Sequence, residues 1–315
     1  MRRPTIGYVG VGLMGLPMVT RLVGLGYALT VYDIVPGRND AARAAGARVA
    51  ESPAAAARGA DIMLLNLPTT EAVEAAAFGE NGVTATLQPP QLLIDFSTVK
   101  VDQGKAFAAR LRESTGCGWI DAPVSGGPPA SGSGTLTVMA GGDAADIERA
   151  APLFADLTAR FTHMGPSGSG LVAKMLNQLI VGCTHAVMAE ALVLAEAAGI
   201  DAERLPECLA GGHADGTLLQ KLYPRMVARD FAPQGYARQL LKDLEMVNEF
   251  AGSLKAPAPM LGKALSLYRM LIHLGHSELD TSAIFKLYER DARMSASAAV
   301  ITNGPAGPSH KGATP

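Results

Sequence analysis

Residues 5–33 read TIGYVGVGLMGLPMVTRLVGLGYALTVYD, and three of their glycines, Gly10, Gly12 and Gly15, have the spacing G-x-G-x-x-G. In a chain with 35 glycines that spacing alone has little weight, and the flanks give it meaning. Residues 5–9 are a short apolar run of the length of a buried strand. After the glycines, Leu16, Val19, Leu22 and Val23 recur at helical spacing, and Gly24 and Gly26 predict the helix end. ALTVYD predicts a second strand that finishes at Asp33. Strand, Gly turn, helix and strand, with an acid about twenty residues on, is the arrangement that binds a dinucleotide.

Each residue has a physical task in that arrangement. Gly10 permits the tight turn, Gly12 lets a pyrophosphate approach the backbone, and Gly15 lets helix and strand pack closely. Leu13 and Met14 complete the phosphate turn, where free N–H groups and the positive end of the helix dipole meet the phosphate. Asp33 is placed to accept from an adenosine ribose hydroxyl and to repel a 2′-phosphate, which favours NAD. Arg38, nearby in sequence, can soften that preference and leaves NADP open. The plainer alternative is a Gly-rich turn with no ligand.

At 315 residues the chain has room for two domains. Hydrophobic residues are 48% and charged residues 18%, which fits a compact enzyme. A net charge of -2 provides no footprint for nucleic acid. Cys117, Cys183 and Cys208 are odd in number and widely spaced. That argues against a disulfide framework or a zinc site and fits the cytoplasm. No metal is expected, because no His, Cys or carboxylate cluster has ligand spacing. The MRRP start is followed by a strand, not a signal peptide. Residues 179–200 are the most membrane-like stretch, but His185, Glu190 and Glu196 interrupt it. We expect a long buried helix there, packed against more than one neighbour, and no membrane partner.

Short apolar runs alternate with Ala-rich stretches up to residue 164. Among them are DIMLLNLP (61–68), QLLIDFST (91–98), GWIDAPVSGG (118–127) and GTLTVMAGGD (134–143). The expected fold class is α/β: a Rossmann domain, doubly wound on a mostly parallel sheet, over residues 1–164. From 165 to 300 strand-like runs give way to helices, predicted over 170–198, 218–226, 236–250, 260–274 and 282–290. This makes an all-α substrate and dimerisation domain. Residues 301–315, rich in Pro and Gly, predict a disordered tail. Ligands of such sheets lie beyond the carboxyl ends of the strands, so Leu67, Pro68, Ser97, Thr98 and residues 125–127 are candidate site loops.

Three groups can carry chemistry. In GSGLVAKMLNQ (168–178), Lys174 and Asn177 share a helical face, and Gly170 one turn earlier allows close approach of substrate or backbone. A lysine there is either a solvated surface residue or a desolvated general acid or base. In DAPVSGG, the Ser125 hydroxyl and the N–H groups of a turn with Gly126 and Gly127 suit a carboxylate, or form an ordinary loop. In LLKDLEMV (240–247), Lys242 and Asp243 read, on their own, as a surface ion pair.

The stretches GYVGVGLMGLPMVTRL, DAPVSGGPPASGSGTLTVMAGGD, GSGLVAKMLNQ and LLKDLEMV occur in this order, followed by GHSELDTSAIFKLYER; RDFAPQGYARQLLKDL overlaps the fourth. Together they resemble the β-hydroxyacid dehydrogenase family, the group of 3-hydroxyisobutyrate dehydrogenase and tartronate semialdehyde reductase. The resemblance runs from about residue 5 to residue 290. It implies that Lys174 is the catalytic lysine, with Asn177, Ser125, Gly126 and Gly127 at the substrate. It implies also that Thr98 and Lys242 sit at the cofactor, with Leu67 and Pro68 beside the nicotinamide. Three places depart from the family: Gln178 where a second asparagine is usual, STVKV (97–101) where a serine and proline often follow, and Pro128, Pro129 and Ser131 in the next loop. These bear on substrate identity rather than on reaction class.

The expected function is therefore hydride transfer between NAD and a small 3-hydroxy acid, similar to 3-hydroxyisobutyrate or to glycerate. Lys174 would act as general acid and base, with a homodimer or homotetramer as the assembly. The alternatives are an imine reductase on the same scaffold, which Lys174 argues against, and a cofactor-binding module that turns nothing over. 6-Phosphogluconate dehydrogenase shares the motifs but typically has a longer helical domain.

Overall fold

The computed structural model describes residues 3–289. The expected tail 301–315, and Arg290 at the end of the last predicted helix, lie outside the described residues. The strands are β1 (Ile6–Val9), β2 (Leu29–Tyr32), β3 (Arg48–Val49), β4 (Ile62–Leu65), β5 (Leu92–Asp95), β6 (Gly118–Asp121), β7 (Val124–Ser125), β8 (Leu136–Gly141) and β9 (Thr158–Gly165). Seven helices accompany them: α1 (Gly15–Gly24), α2 (Pro36–Ala44), α3 (Pro53–Ala57), α4 (Thr70–Phe78), α5 (Val101–Thr115), α6 (Gly127–Ser133) and α7 (Ala144–Leu157). Six more follow: α8 (Ser169–Ala198), α9 (Leu205–Leu209), α10 (Thr217–Lys221), α11 (Tyr223–Val227), α12 (Ala237–Ser253) and α13 (Pro259–His273).

One sheet contains all nine strands, in the order β3-β2-β1-β4-β5-β6-β8-β7, with β9 pairing β8. From β3 to β6 every pairing is parallel, while β8 runs antiparallel to β6 and β7. This is the doubly wound, mostly parallel α/β fold. β1, β4, β5 and β6 are buried at every position, as strands covered by helices on both faces must be. β9 is an edge strand whose residues are mostly exposed. TARFTHMG contains no apolar run, so nothing in its sequence announced a strand.

The three glycines of the first turn have three different reasons to be glycine. Gly10 has φ +101°, and a Cβ there would lie 2.2 Å from Asn66 O. A Cβ on Gly15 would lie 2.2 Å from Gly10 O, at the contact of α1 with the turn. A Cβ on Gly12 would meet only Arg38 Nη1, at 3.8 Å, so its Cα faces open space.

Beyond β9 the described chain is helical. The helix expected over 218–226 is two short ones, α10 and α11. Pro224, which has no N–H to continue the ladder, opens the second. The helix expected from Ser282 is a 3-10 stretch over Thr281–Leu287, its first turn held by Asp280 Oδ1 accepting from Ser282 N at 3.1 Å. Helix α8 packs on α12, α13 and β8. It has more than one neighbour, but the helix expected to be buried is buried on one flank only. Leu176, Ile180, Val187 and Leu194, spaced along one flank, are 52 to 68% exposed. By length and composition alone α8 could cross a membrane, but its other flank belongs to the core.

Gly170 and Gly262 test the packing in opposite directions. A Cβ on Gly170 would lie 2.4 Å from Met139 O and 2.7 Å from Asp121 O, both backbone atoms. Gly262, inside α13, has nothing within 4 Å. Gly170→Ala should cost about 1–3 kcal/mol of stability or more, and Gly262→Ala should add about 0.5–1 kcal/mol. Urea unfolding of the two variants checks both signs.

Candidate active site

The site is built at the carboxyl edge of the sheet. Helix α1 starts there with no side-chain cap, so its first N–H groups have no intramolecular side-chain acceptor. With the open face of Gly12, this is a cradle that fits a pyrophosphate. Leu13 and Met14 form the rise between turn and helix.

Asp33, just after β2, is 6% exposed. Its Oδ2 accepts from Val11 N at 2.8 Å and its Oδ1 from Val35 N at 2.9 Å. The carboxylate thus holds the glycine turn in place as well as offering its remaining lone pairs to a ligand. Arg38 Nη1 lies 3.5 Å from both oxygens, and its side chain is half exposed.

The next strand ends bear the second group. Leu67 N donates to Ser97 Oγ at 2.8 Å, which ties the loop after β4 to the loop after β5. From the helical side, α12 reaches across to both. Gln239 Nε2 donates to Pro68 O at 2.6 Å, and Lys242 Nζ donates to Thr98 O at 2.8 Å. Leu67, Pro68, Thr98 and Lys242, far apart in sequence, are thereby gathered along one stretch of the cleft. Lys242 also pairs with Asp243 Oδ1 at 3.0 Å, so the ion pair in the sequence exists, but Asp243 is buried and the pair faces the cleft loops.

The third group centres on Lys174. Asp121, at the end of β6, accepts from Gly168 N at 2.7 Å on Oδ1 and from Leu171 N at 3.1 Å on Oδ2. This strand-borne carboxylate caps the start of α8, where no local side chain does. The close approach that Gly170 permits is therefore to backbone carbonyls of the sheet. One turn on, Lys174 is buried, and its Nζ donates to Val124 O at 2.8 Å. The ammonium thus lies beside the turn that follows β7. Burial pushes the Lys174 pKa down from 10.5 to about 8, with Lys242 adding to the fall and the Asp243 carboxylate opposing it.

In that turn Gly126 and Gly127 have φ +127° and +71°. The expected set of N–H donors is narrower than the Gly turn suggested. Pro128 and Pro129, at the start of α6, carry no N–H, so the donors of the turn are the Ser125 hydroxyl and the amides of Gly126 and Gly127. Asn177 shares the helical face of Lys174 but bonds in another direction. Its Nδ2 donates to Gln178 Oε1 at 2.8 Å, and Gln178 Nε2 donates to Asp243 Oδ2 at 2.6 Å.

Three residues of this geometry were not singled out from the sequence: Asp95, Asp121 and Gln239; Gln178, noted there only as a departure from the family, is the group that connects Asn177 to Asp243. Asp95 and Asp121 are neighbours in register across β5 and β6. Burial, with the Asp121 charge adding to it, pushes Asp95 up to about 7 against the opposing hydrogen bonds of Ser97. A charged residue ending an otherwise apolar strand is the signal that could have found both.

The chain is similar to known proteins over nearly all of its length. A model of the NAD binding domain of 6-phosphogluconate dehydrogenase matches residues 5–165, and one described as the NAD-binding region of NADP-dependent 3-hydroxyisobutyrate dehydrogenase matches residues 168–288. The chain is 36% identical over 291 residues to the NAD-dependent L-serine dehydrogenase of Pseudomonas aeruginosa, covering 90% of this chain and 97% of that one. It is 34% identical over 284 residues to the 2-hydroxy-3-oxopropionate reductase of Escherichia coli, with coverage of 90% and 97%. The solved structure of Mycobacterium tuberculosis 3-hydroxyisobutyrate dehydrogenase with L-serine superposes with a TM-score of 0.81 at 30% identity, covering 92% of this chain and 100% of that one.

The lowered Lys174 pKa has two measurable consequences. Were Lys174 the base of an oxidation, kcat/KM would rise with pH through about 8 and then level, and in reduction it would fall through the same range. In stability, the folded value lies below the unfolded one, so the unfolded chain binds more protons between pH 8 and 10.5. Wild type should therefore gain stability relative to Lys174→Met as pH rises across that window. Parallel denaturation curves for the two proteins from pH 7 to 10.5 would contradict the shift.

Proposed function

The chain belongs to the β-hydroxyacid dehydrogenase family, and on that premise we propose that it oxidises a small 3-hydroxy acid reversibly, with Lys174 as general acid and base. The observation that carries this reading is the buried Lys174 Nζ, bonded to Val124 O immediately before the Ser125 turn. The bound nicotinamide supplies the hydride acceptor. Lys174 takes the hydroxyl proton in oxidation and returns it in reduction. Ser125, Gly126 and Gly127 hold the carboxylate. Asn177 orients the groups between them. Gly10, Gly12, Leu13, Met14, Gly15 and Asp33 bind the adenosine and pyrophosphate end, while Leu67, Pro68, Thr98 and Lys242 border the nicotinamide.

Lys174→Ala should lower kcat by ~10²–10⁴-fold and leave the Kd for NADH nearly unchanged. Steady-state kinetics on a panel of 3-hydroxyisobutyrate, 3-hydroxypropanoate, glycerate and serine, beside NADH titration, checks this. Near-native kcat in the variant would end the reading.

Asp33 sets a preference for NAD, and Arg38 tempers it by lying 3.5 Å from that carboxylate. Asp33→Ser should narrow the ratio of kcat/KM for NAD over NADP, and Arg38→Ala should widen it. A wild type that already prefers NADP would contradict the assignment.

The exposed flank of α8 is covered by a second copy of the chain. Four large apolar side chains more than half exposed on one helix are a contiguous stripe of the kind that marks an interface. Light scattering should give at least twice the 32.6 kDa of the chain. A monomer mass would leave that stripe unexplained.

A further inference from the structure

We infer that Gln178 fixes Asn177 as a hydrogen-bond acceptor toward the substrate, and so selects 3-hydroxy acids that carry a donor, hydroxyl or ammonium, on C2. This rests on the placement of Lys174 at the C3 hydroxyl and of the Ser125 turn at the carboxylate.

The polarity follows from one end of a chain of bonds. Asp243 Oδ1 pairs with Lys242 Nζ at 3.0 Å, and a carboxylate in such a pair only accepts. The Gln178 atom 2.6 Å from Asp243 Oδ2 is therefore the amide nitrogen. The other end of the same amide is then an oxygen, and it must receive a donor. Asn177 supplies one from Nδ2 at 2.8 Å. Asn177 is left with Oδ1, for which no donor among the described residues is recorded. The assignment does not depend on telling oxygen from nitrogen by position, because the carboxylate dictates each step.

The anchor is firm. Asp243 is buried, and Lys242 is itself held by Thr98 O. An asparagine at 178 has one methylene fewer than Gln178, so the reach from α8 to Asp243 belongs to the residue by which this chain departs from the common family pattern. On α8, Asn177 lies about 4.5 Å along the axis from Lys174 on the same face. With C3 at Lys174 and C1 at the Ser125 turn, the substituent of C2 is what remains for Asn177 Oδ1. A hydroxyl or ammonium satisfies that acceptor; a methyl group or hydrogen leaves it unpaired as the cleft closes.

The test is a ratio, because a residue that merely packs lowers all substrates alike. kcat/KM is measured for both enantiomers of serine and of glycerate, against 3-hydroxypropanoate and 3-hydroxyisobutyrate. Wild type should favour the best donor-bearing acid over the best donor-less one by about tenfold or more. Gln178→Met keeps the length and cuts both bonds, so the ratio should shrink by about fivefold or more. Gln178→Glu still accepts from Asn177 Nδ2, so it should hold the ratio even at lower stability. A ratio unmoved in Gln178→Met, or a wild type that prefers the donor-less acids, overturns the inference. If Gln178→Met does not fold, Gln178→Glu decides: a held ratio supports, a collapsed ratio overturns. Absence of turnover on every acid overturns the functional reading and this inference with it. An active wild type with an unmoved ratio overturns this inference alone.

Discussion

The buried carboxylate of Asp121 is the joint on which the site depends. It stands at the carboxyl end of a central strand and accepts the first free N–H groups of α8. Charge-assisted bonds of this kind contribute about 1.5–3 kcal/mol each, enough to offset much of the cost of burying the charge. They fix the start of the helix in rise and rotation. Lys174 follows Leu171 by three residues, so the same bonds determine where Nζ ends. Gly141 and Gly170 make the joint possible, since a Cβ on either would collide with Asp121. The sheet therefore positions the lysine directly, without an intervening loop.

The opposite wall of the cleft is tied more lightly. Gln239 to Pro68 and Lys242 to Thr98 are single hydrogen bonds between a helix and two loops. The neutral Gln239 bond contributes about 1 kcal/mol and the charged Lys242 bond about 1.5–3 kcal/mol, so the Gln239 contact is the one that α12 can exchange for a ligand at small cost. The Asp121 joint stays in place while that happens. A cleft with one rigid wall and one exchangeable wall suits a reaction in which cofactor and acid must enter, be held in register and leave.

What the sequence shows well is what is local. Gly10, Gly12, Gly15 and Asp33 follow from spacing within 29 residues, because strand, turn and helix are each set by near neighbours. The parallel order of strands likewise follows from alternation. Taken without the family resemblance, Lys174 is only a lysine on an apolar helix, a pattern equally suited to a side chain reaching solvent. The acceptor of its ammonium is Val124 O, 50 residues earlier. Lys242 looked like a surface charge and gained a role only through the family resemblance. Gln178 stood out as a departure, but its partner Asp243 is 65 residues on, and no periodicity encodes that bond. The uncovered flank of α8 is legible only as an excess of apolar residues over 179–200, because an apolar helix reads the same whether its own chain or another covers it.

Asp121→Asn tests the account at its centre. An asparagine has one acceptor oxygen, so it can keep only one of the two bonds to α8 and puts its amide N–H₂ against the other N–H. Displacement of a positioned catalytic group by about 1 Å can cost ~10²-fold in rate. The measurement is kcat for the best hydroxy acid, taken beside the Kd for NADH as a check that the sheet is intact. A fall in kcat of ~10²-fold with NADH affinity unchanged within about threefold is the predicted result. A kcat near that of wild type would show that Lys174 does not depend on this carboxylate for its place.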